Sequence, residues 1–403
     1  MATIAVLGTL DSKGEEHSFV ADCIREQGHA ILLIDVGSGG KPTVQPDVDR
    51  FEVARAAGID LSPLLARADR AECVAAMAIA APALLLKLQR EGRIDGVISL
   101  GGGGGTAIAS AAMRALPIGF PKVMVSTLAS GNTAHYVGTK DIVMIPSVLD
   151  VAGLNRISKL IFAQAAGAIC GMLHASPMGG SERPLIAASM FGNTTDCVGI
   201  AQAEMEKEGF EVLVFHATGT GGRGMEDLIR SGMFDGVLDI TTTEWADELL
   251  GGSLSAGSDR MDAAGEVGVP TVVVPGCLDM VNFGEPDSVP ERYAGRLFYH
   301  HNPQVTLMRT TPKECAELGR ILAGKINAYT GPVTVLIPER GVSVIGIEGG
   351  CFFDPEADSA LFDTLESELK EHITVERHDL DINQPAFARA CSQALLRLLG
   401  SSD

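Results

Sequence analysis

Short apolar runs and amphipathic stretches alternate along the chain, and their order predicts the fold. The run TIAVLG, from Thr3, has the length and continuity of a strand buried on both faces. The next stretch, DSKGEEHSFVADCIREQG, sets Phe19, Val20, Cys23 and Ile24 on one helical face and stops at Gly28. AILLIDVGS reads as a second buried strand, so the chain opens as a βαβ unit with a right-handed crossover. GVISL, KVMVS and DIVMIPS are further strands. A helix carrying Leu154, Ile157, Ile161, Ala165, Ala168 and Met172 on its apolar face closes the unit.

The polar, Gly- and Pro-rich stretch SPMGGSERP, residues 176–184, marks a boundary between domains 1–180 and 181–403. Beyond it the pattern restarts. PLIAASMFGNTT repeats TIAVLGTLDSK, and the helix VGIAQAEMEKEG again ends at a glycine, Gly209. EVLVFHATGTGG matches AILLIDVGSGG with His216 in the place of Asp35. GMFDGVLDITTTE matches GRIDGVISLGGGGG, and PTVVVPG matches PKVMVST. Matched pieces in one order predict an internal duplication. The expected fold class is α/β, with two Rossmann-like doubly wound domains and largely parallel sheets. The strand VTVLIP, an acidic helix around Asp358–Lys370, the strand ITVERHD and a helix over Gln384–Leu399 read as a C-terminal extension.

Composition narrows the function. The formal net charge is −20, which argues against nucleic-acid or membrane-surface partners. A small anion remains possible, because main-chain N–H groups at a helix N-terminus bind phosphate without a basic surface. The apolar run near Val74–Leu86 is interrupted by Pro82 and reads as too short to span a bilayer. No positively charged segment precedes the first strand, so no signal peptide is expected. The eight cysteines are scattered, without CxxC or zinc spacing. A cytoplasmic protein with free thiols is the expectation.

In open α/β sheets ligands bind beyond the carboxyl ends of the strands, so the loops after strands hold the candidates. Leu100–Thr106, LGGGGGT, is the sharpest signal: Gly101, Gly102, Gly103, Gly104 and Gly105 lie between a buried strand and an apolar helix. Each ordered glycine costs roughly 0.5–1 kcal/mol relative to alanine, and a plain turn needs one or two. Bare amides facing a helix N-terminus suit phosphate oxygens, with the Thr106 hydroxyl as an added ligand. The loop is neither a Walker A nor a GxGxxG motif, so it does not choose among ATP, a dinucleotide and a sugar phosphate. In the loop after the first strand, Thr9, Asp11 and Lys13 are candidates, Asp11 for magnesium and Lys13 for phosphate; Ser12 and Glu15 also have the spacing of a capping box. Asp35 ends the second strand, where a carboxylate often takes ribose hydroxyls. Ser126, Gly131 and Asn132 in STLASGN could line the same cleft.

The second domain offers Thr218, Gly219, Thr220, Gly221 and Gly222 before a helix as a seat for a small anionic metabolite, with Thr242 and Glu244 replacing the glycine run. Asp279 and Asn282 in GCLDMVNFG reach the cleft edge, and Arg309, Arg340 or a histidine would steer a second substrate. A nucleophilic Cys277 and a metal at His300–His301 are weaker readings, since neither has an identifiable partner. Asp354-Pro355-Glu356 reads as a helix N-cap.

Taken together, AVLGTLDSKGEE, LGGGGGT, PSVLDVAGLNRIS, FHATGTGGRGMEDL, PGCLDMVNFG, HHNPQVTLMRTT and FFDPEADSALF resemble the Tm-one-like ATP-binding family. This is a bacterial and plant family that includes the N-terminal region of a plant tobamovirus-resistance protein. The resemblance spans nearly the whole chain and implies two Rossmann-like domains, ATP with Mg2+ in the first, and a homodimer or higher homo-oligomer. It carries the nucleotide loops onto Thr9, Asp11, Lys13, Asp35 and Gly101 to Thr106. Gly346-Ile347-Glu348 departs from the family pattern, which has an Asp near Ile347 or Gly346. The expected function is an ATP-dependent metabolic enzyme, a phosphoryl transferase or ligase acting on a small anionic metabolite. The alternatives are a non-catalytic ATP-dependent sensor and a nicotinamide-dependent enzyme; the missing GxGxxG counts against the last.

Overall fold

Strand β1 (Thr3–Gly8) illustrates the layering of the first half of the chain. Ile4 and Val6 point into one apolar layer and Ala5 and Leu7 into another, and all four are fully buried. A strand covered on both faces needs a continuous apolar run, which is what TIAVLG supplies. The computed structural model describes residues 1–175 and 183–400. The chain divides into two compact units, Met1–Gly180 and Ser181–Asp403. Of the stretch read as their linker, 176–184, only Arg183 and Pro184 are among the described residues.

In the first unit, β1 is followed by α1 (Leu10–Glu26), β2 (Ala30–Asp35), α2 (Arg50–Ala56), α3 (Ser62–Arg67) and α4 (Arg70–Arg90). The chain continues through β3 (Gly96–Gly101), α5 (Gly103–Ala115), β4 (Lys122–Ser126), α6 (Ala134–Val137), β5 (Val143–Pro146) and α7 (Arg156–Met172). The five strands pair in parallel in the order β2-β1-β3-β4-β5. This is a doubly wound order, distinct from the 3-2-1-4-5-6 order of dinucleotide-binding sheets, and its switch point lies between β1 and β3. Helix α4 differs from expectation: Pro82 lies inside it, and it runs for 21 residues. By length and composition it could cross a membrane. In the fold, Met77, Ala80, Ala81, Leu84 and Leu85 are buried in a core shared with Ile108, Ala112 and Met113 of α5. That burial offsets the roughly 3 kcal/mol cost of an internal proline.

The second unit runs β6 (Leu185–Met190), α8 (Thr195–Lys207), β7 (Glu211–His216), α9 (Thr220–Arg230), β8 (Gly236–Thr241), α10 (Glu244–Leu250), α11 (Asp262–Val267) and β9 (Thr271–Gly276). It continues with β10 (Met280–Phe283), β11 (Phe298–Asn302), β12 (Val305–Arg309), α12 (Pro312–Ile326), β13 (Val333–Pro338), α13 (Pro355–Glu368), β14 (Thr374–His378) and α14 (Pro385–Gly400). Its parallel sheet has the order β14-β13-β9-β8-β6-β7. The first four strands of each unit therefore occupy matching places, as the repeated sequence pieces require. VTVLIP, read from sequence as an extension, is β13. It pairs with β9 as β5 pairs with β4, so it is the fifth strand of the repeat. Between the fourth and fifth strands lies an antiparallel sheet, β10-β12-β11.

One buried side chain fixes the strand ends at the first switch point. His17 of α1 is fully buried and packs flat against Gly8, where a Cβ would come within 2.2 Å of its ring. Its Nδ1 meets the Lys13 carbonyl at 2.7 Å, and its Nε2 accepts from the Leu100 amide at 3.3 Å. That pairing requires a neutral ring with the proton on Nδ1. Burial lowers the His17 pKa below 6.5, outweighing the Lys13 carbonyl and the nearby Glu16 and Asp35. With the folded value depressed, this stability contribution is complete above the unfolded value near 6.5 and is lost as the pH falls from there toward the folded value. His17→Gln can make both bonds without titrating. Between pH 6.5 and 5, protection of the Leu100 amide in hydrogen exchange should fall in the wild type by up to about 1.4 kcal/mol per pH unit relative to His17→Gln. Parallel profiles would remove His17 from this role.

Candidate functional site

At the first switch point a cavity of about 540 Å3 opens, lined by Thr9, Asp11, Ser12 and Lys13 after β1, Gly39 after β2, and Gly101 to Gly105 after β3. The glycine run is not a slack loop. Gly101 ends β3, Gly102 is the N-cap of α5, and Gly103, Gly104 and Gly105 are its first turn. The first helical bond runs from the Thr106 amide to the Gly102 carbonyl at 2.8 Å. The three preceding amides are those that every helix leaves without a partner of its own, and here they border the cavity. The glycines are not equivalent. A Cβ on Gly101 would press on Gly105 Cα at 3.0 Å, whereas one on Gly103 would meet nothing. Packing explains the first; the bareness of Gly103 has no packing reason.

Two cations face the same space. Lys13 sits at a kink in α1, with φ −134° and ψ 26°, and lines the cavity. Arg70 opens α4 just after its N-cap, Asp69, and a guanidinium nitrogen lies 3.7 Å from where a Gly104 Cβ would be. Among the described residues no carboxylate pairs with either side chain. Sequence reasoning missed Arg70 because it lies on the crossover before β3, remote from any strand-end motif. Asp11 also lines the cavity; its Oδ2 accepts from the Gly39 amide at 2.7 Å, which leaves Oδ1 for a ligand. Leu65, Ala68 and Val74 form an apolar wall, and Asp150, after β5, closes the rim.

Other sequence candidates do not face the cavity. Asp35 is buried: Oδ1 accepts from the Leu10 and Gly37 amides and Oδ2 from Arg50 Nε. It braces the loops after β1 and β2, and no oxygen is left for a ribose. The Thr106 hydroxyl points inward and meets Ser126 Oγ at 2.7 Å, both fully buried. This bond ties the glycine turn to β4 and removes both hydroxyls from the cavity. Gly131 and Asn132 lie outside the cavity lining, and Asn132 Oδ1 accepts from the Ala134 amide. The Ser12–Glu15 capping box does not form, because α1 starts earlier, with Thr9 as N-cap, and Ser12 Oγ turns back to Thr9.

The second unit corrects the expectation of a metabolite seat. The N-terminus of α9 already holds a carboxylate of the chain itself: Glu244 Oε1 accepts from the Gly219 amide at 2.7 Å and the Gly222 amide at 3.2 Å. A Cβ on Gly222 would collide with that carboxylate at 2.2 Å, and one on Gly221 with the His216 carbonyl at 1.9 Å. Glu244 in turn receives Arg260 Nε at 2.7 Å, and the buried Arg260 also binds Asp239 and Glu226. The Thr218 hydroxyl turns back onto the His216 carbonyl, Thr220 lies beside Arg223, and buried Thr242 donates to Val274. Asn282 pairs with Asp247. Arg309 is buried against Asp358 and the Phe352 carbonyl, so it cannot steer a substrate. Asp279 is fully buried, accepts from Ser343 Oγ, and has its pKa raised by burial. Burial also raises the Cys277 thiol well above its usual value, which removes it as a nucleophile. Arg340 pairs with Asp379 on the surface. Among the described residues no group of three His, Cys, Asp or Glu is placed to hold a metal, His300 and His301 included. Asp354 does cap α13, accepting from the Ala357 amide.

Among the described residues Arg260 is the only cation hydrogen-bonded to Glu226, Asp239 and Glu244. Arg260→Met would strand three buried carboxylates and should cost about 3–5 kcal/mol. Trp245, the only tryptophan, is buried in this unit, so its fluorescence during urea unfolding measures the loss. The deficit should shrink at pH 5 relative to pH 7.5, since burial raises the Glu226 carboxyl above its usual range and its protonation neutralises it in the folded variant.

Comparison with known proteins agrees with this division. Residues 2–178 match the N-terminal domain, and residues 183–399 the C-terminal domain, of the uncharacterised protein family UPF0261. A UPF0261 protein of Clostridium tetani is 48% identical over 398 residues, covering 98% of each chain. One from Rhizobium meliloti is 49% identical, again with 98% of each covered. The ToMV resistance protein Tm-1(GCR237) of Solanum lycopersicum is 39% identical over 97% of this chain and 55% of its own length. Among solved structures, a UDP-N-acetylglucosamine 2-epimerase from Rickettsia bellii aligns over 100% of this chain and 97% of its own, at 12% identity and a TM-score of 0.22. The UDP-GlcNAc 2-epimerase of Neisseria meningitidis, bound to UDP-GlcNAc, aligns over 68% of this chain and 82% of its own, at 12% identity and a TM-score of 0.25. With both halves matched in order and close relatives covered end to end, the chain belongs to the UPF0261 family.

Proposed function

We propose that the first unit binds a nucleotide through its phosphates, ATP with Mg2+, and that the protein uses it in phosphoryl transfer or in activation of a small metabolite. The observation that carries this reading is the convergence of the Gly103, Gly104 and Gly105 amides with Lys13 and Arg70 on one cavity. A helix N-terminus with two cations lacking a carboxylate partner, in a chain of net charge −20, favours a polyanion. The cavity volume of about 540 Å3 falls within the range of small-molecule sites. The wall of Leu65, Ala68 and Val74 suits the flat face of a base. Magnesium keeps several waters and takes one or two carboxylates beside phosphate oxygens. Asp11, with one oxygen held by Gly39 and the other free, fits that demand, and the bound ion would neutralise phosphate charge. In transfer, the amides, Lys13 and Arg70 would stabilise charge on the equatorial oxygens of the moving phosphoryl group.

A second reading, an ATP-dependent sensor without catalysis, draws support from the second unit, whose candidate ligand groups are largely taken up by bonds within the chain. Metabolite-dependent ATP turnover separates the two; binding without turnover selects the sensor.

Gly103→Ala and Gly104→Ala both fit sterically, since their Cβ atoms would meet nothing closer than 3.6 Å. Combined, they should raise helix stability by about 1–2 kcal/mol while weakening Mg·ATP binding at least about tenfold by calorimetry, because the new methyls cover the amides. Lys13→Ala and Arg70→Ala should each weaken binding about three- to tenfold, with the difference narrowing at high salt. Unchanged affinity in the double alanine variant would exclude the cleft as the phosphate seat.

A further inference from the structure

A second cavity, of about 330 Å3, adjoins the first and is lined by Thr127, Ser130, Ser147, Val148, Leu149 and Asp150. Asp150 lines both cavities. Thr127 follows β4 with its amide on the Gly101 carbonyl at 3.2 Å, and its hydroxyl lies 3.7 Å from where a Gly102 Cβ would be. The second cavity therefore abuts the glycine turn itself. Among the described residues the hydroxyls of Thr127 and Ser130 and the carboxylate of Asp150 have no hydrogen-bond partner.

The loop that carries Asp150 is built for its position. Val148 has φ +62°, a conformation a β-branched residue rarely adopts. It is held there by the Leu149 amide on the Ser147 carbonyl at 2.6 Å and the Ser147 hydroxyl on the Leu149 carbonyl at 2.5 Å. Such strain persists where the surroundings impose it, and it concentrates at functional sites.

We infer that this second cavity is an acceptor site for a neutral, polyhydroxylated small molecule, with Asp150 as the catalytic residue that receives the proton of the reacting hydroxyl. The inference rests on the nucleotide reading of the first cavity. The lining contains hydroxyls and one carboxylate but no cation, which disfavours an anionic metabolite and favours a polyol. The apolar wall of Leu65, Ala68 and Val74 belongs to the α3–α4 segment and Asp150 to the loop after β5. A nucleotide with its base on that wall and its phosphates on the glycine turn directs its terminal phosphate, not its ribose, toward Asp150. In the step, the acceptor oxygen forms a bond to the terminal phosphorus as the bond from phosphorus to the bridging oxygen breaks. The electron pair leaves with the nucleoside diphosphate. The acceptor proton passes to Asp150 and from there to solvent.

The test uses the full chain with glycerol, ribose, glucose and myo-inositol. Saturation-transfer NMR with magnesium and a non-hydrolysable ATP analogue reads polyol binding, and 31P NMR with Mg·ATP reads formation of a phosphate ester. At least one polyol should bind the wild type and become phosphorylated. Thr127→Val/Ser130→Ala should lose that binding about tenfold. Asp150→Asn, at an exposed position, should slow transfer by a hundredfold or more. Three results overturn the acceptor site: no polyol bound beside the analogue, transfer indifferent to Asp150→Asn, or 2′,3′-dideoxy-ATP binding worse than ATP in the wild type but not in Asp150→Asn, which would make this the ribose site. Failure of the analogue itself to bind is a different result: it removes the nucleotide reading beneath the proposal, and the proposal with it.

Discussion

The amides in the first turn of a helix must be met by something, and the two halves of this chain meet them differently. At α9 the partner is internal: Glu244 folds over the Gly219 and Gly222 amides and is itself neutralised by Arg260. At α5 no side chain among the described residues does this. Gly102 caps without a side chain, Arg70 lies beside Gly104, and Lys13 lines the same cavity. The two helices are not counterparts in the repeat, since α5 follows its third strand and α9 its second, yet both start at the carboxyl end of a parallel strand. They differ in the residue sent to the helix start.

Much of this was legible from sequence, and the reasons are local. β1, β2, β3 and β4 show as apolar runs because both faces of the sheet are covered, and the repeated order of pieces revealed the second sheet. The glycine run, Asp11 and Lys13 were legible as residues around one cavity because each lies within a few positions of a strand end. What stayed hidden depends on contacts distant in sequence. Asp35 looks like a ribose ligand until Arg50 and the Leu10 amide claim it. Thr106 looks like a phosphate ligand until Ser126 turns it inward. Arg70 and Asp150 come from a crossover helix and a loop with no motif, and only the closed sheet brings them to the glycine turn. β13 was hidden for another reason: the β10–β12 sheet and α12 separate it from β9, so the fifth strand of the repeat looked like an appendage.

His17 links these levels. It is one of two buried polar residues of α1, with Glu16, and neither periodicity nor motif marks it. Its ring replaces a strand-to-helix contact that backbone groups cannot make alone, joining the kinked start of α1 to the last residues of β3. Gly8 is the complementary choice, since any side chain there would occupy the space of the imidazole. A pair of this kind fixes where Lys13 sits relative to the glycine turn without touching the cavity.

The sealing of α9 by Glu244 has a consequence for the duplication. Duplicated sheets commonly suggest duplicated ligand sites, and a chain with two matching halves invites the assumption that it loads twice. A carboxylate already seated on the second helix start excludes any incoming phosphate there by charge and by volume. Matched sheets therefore do not make matched cavities, because the chain itself fills the start of α9.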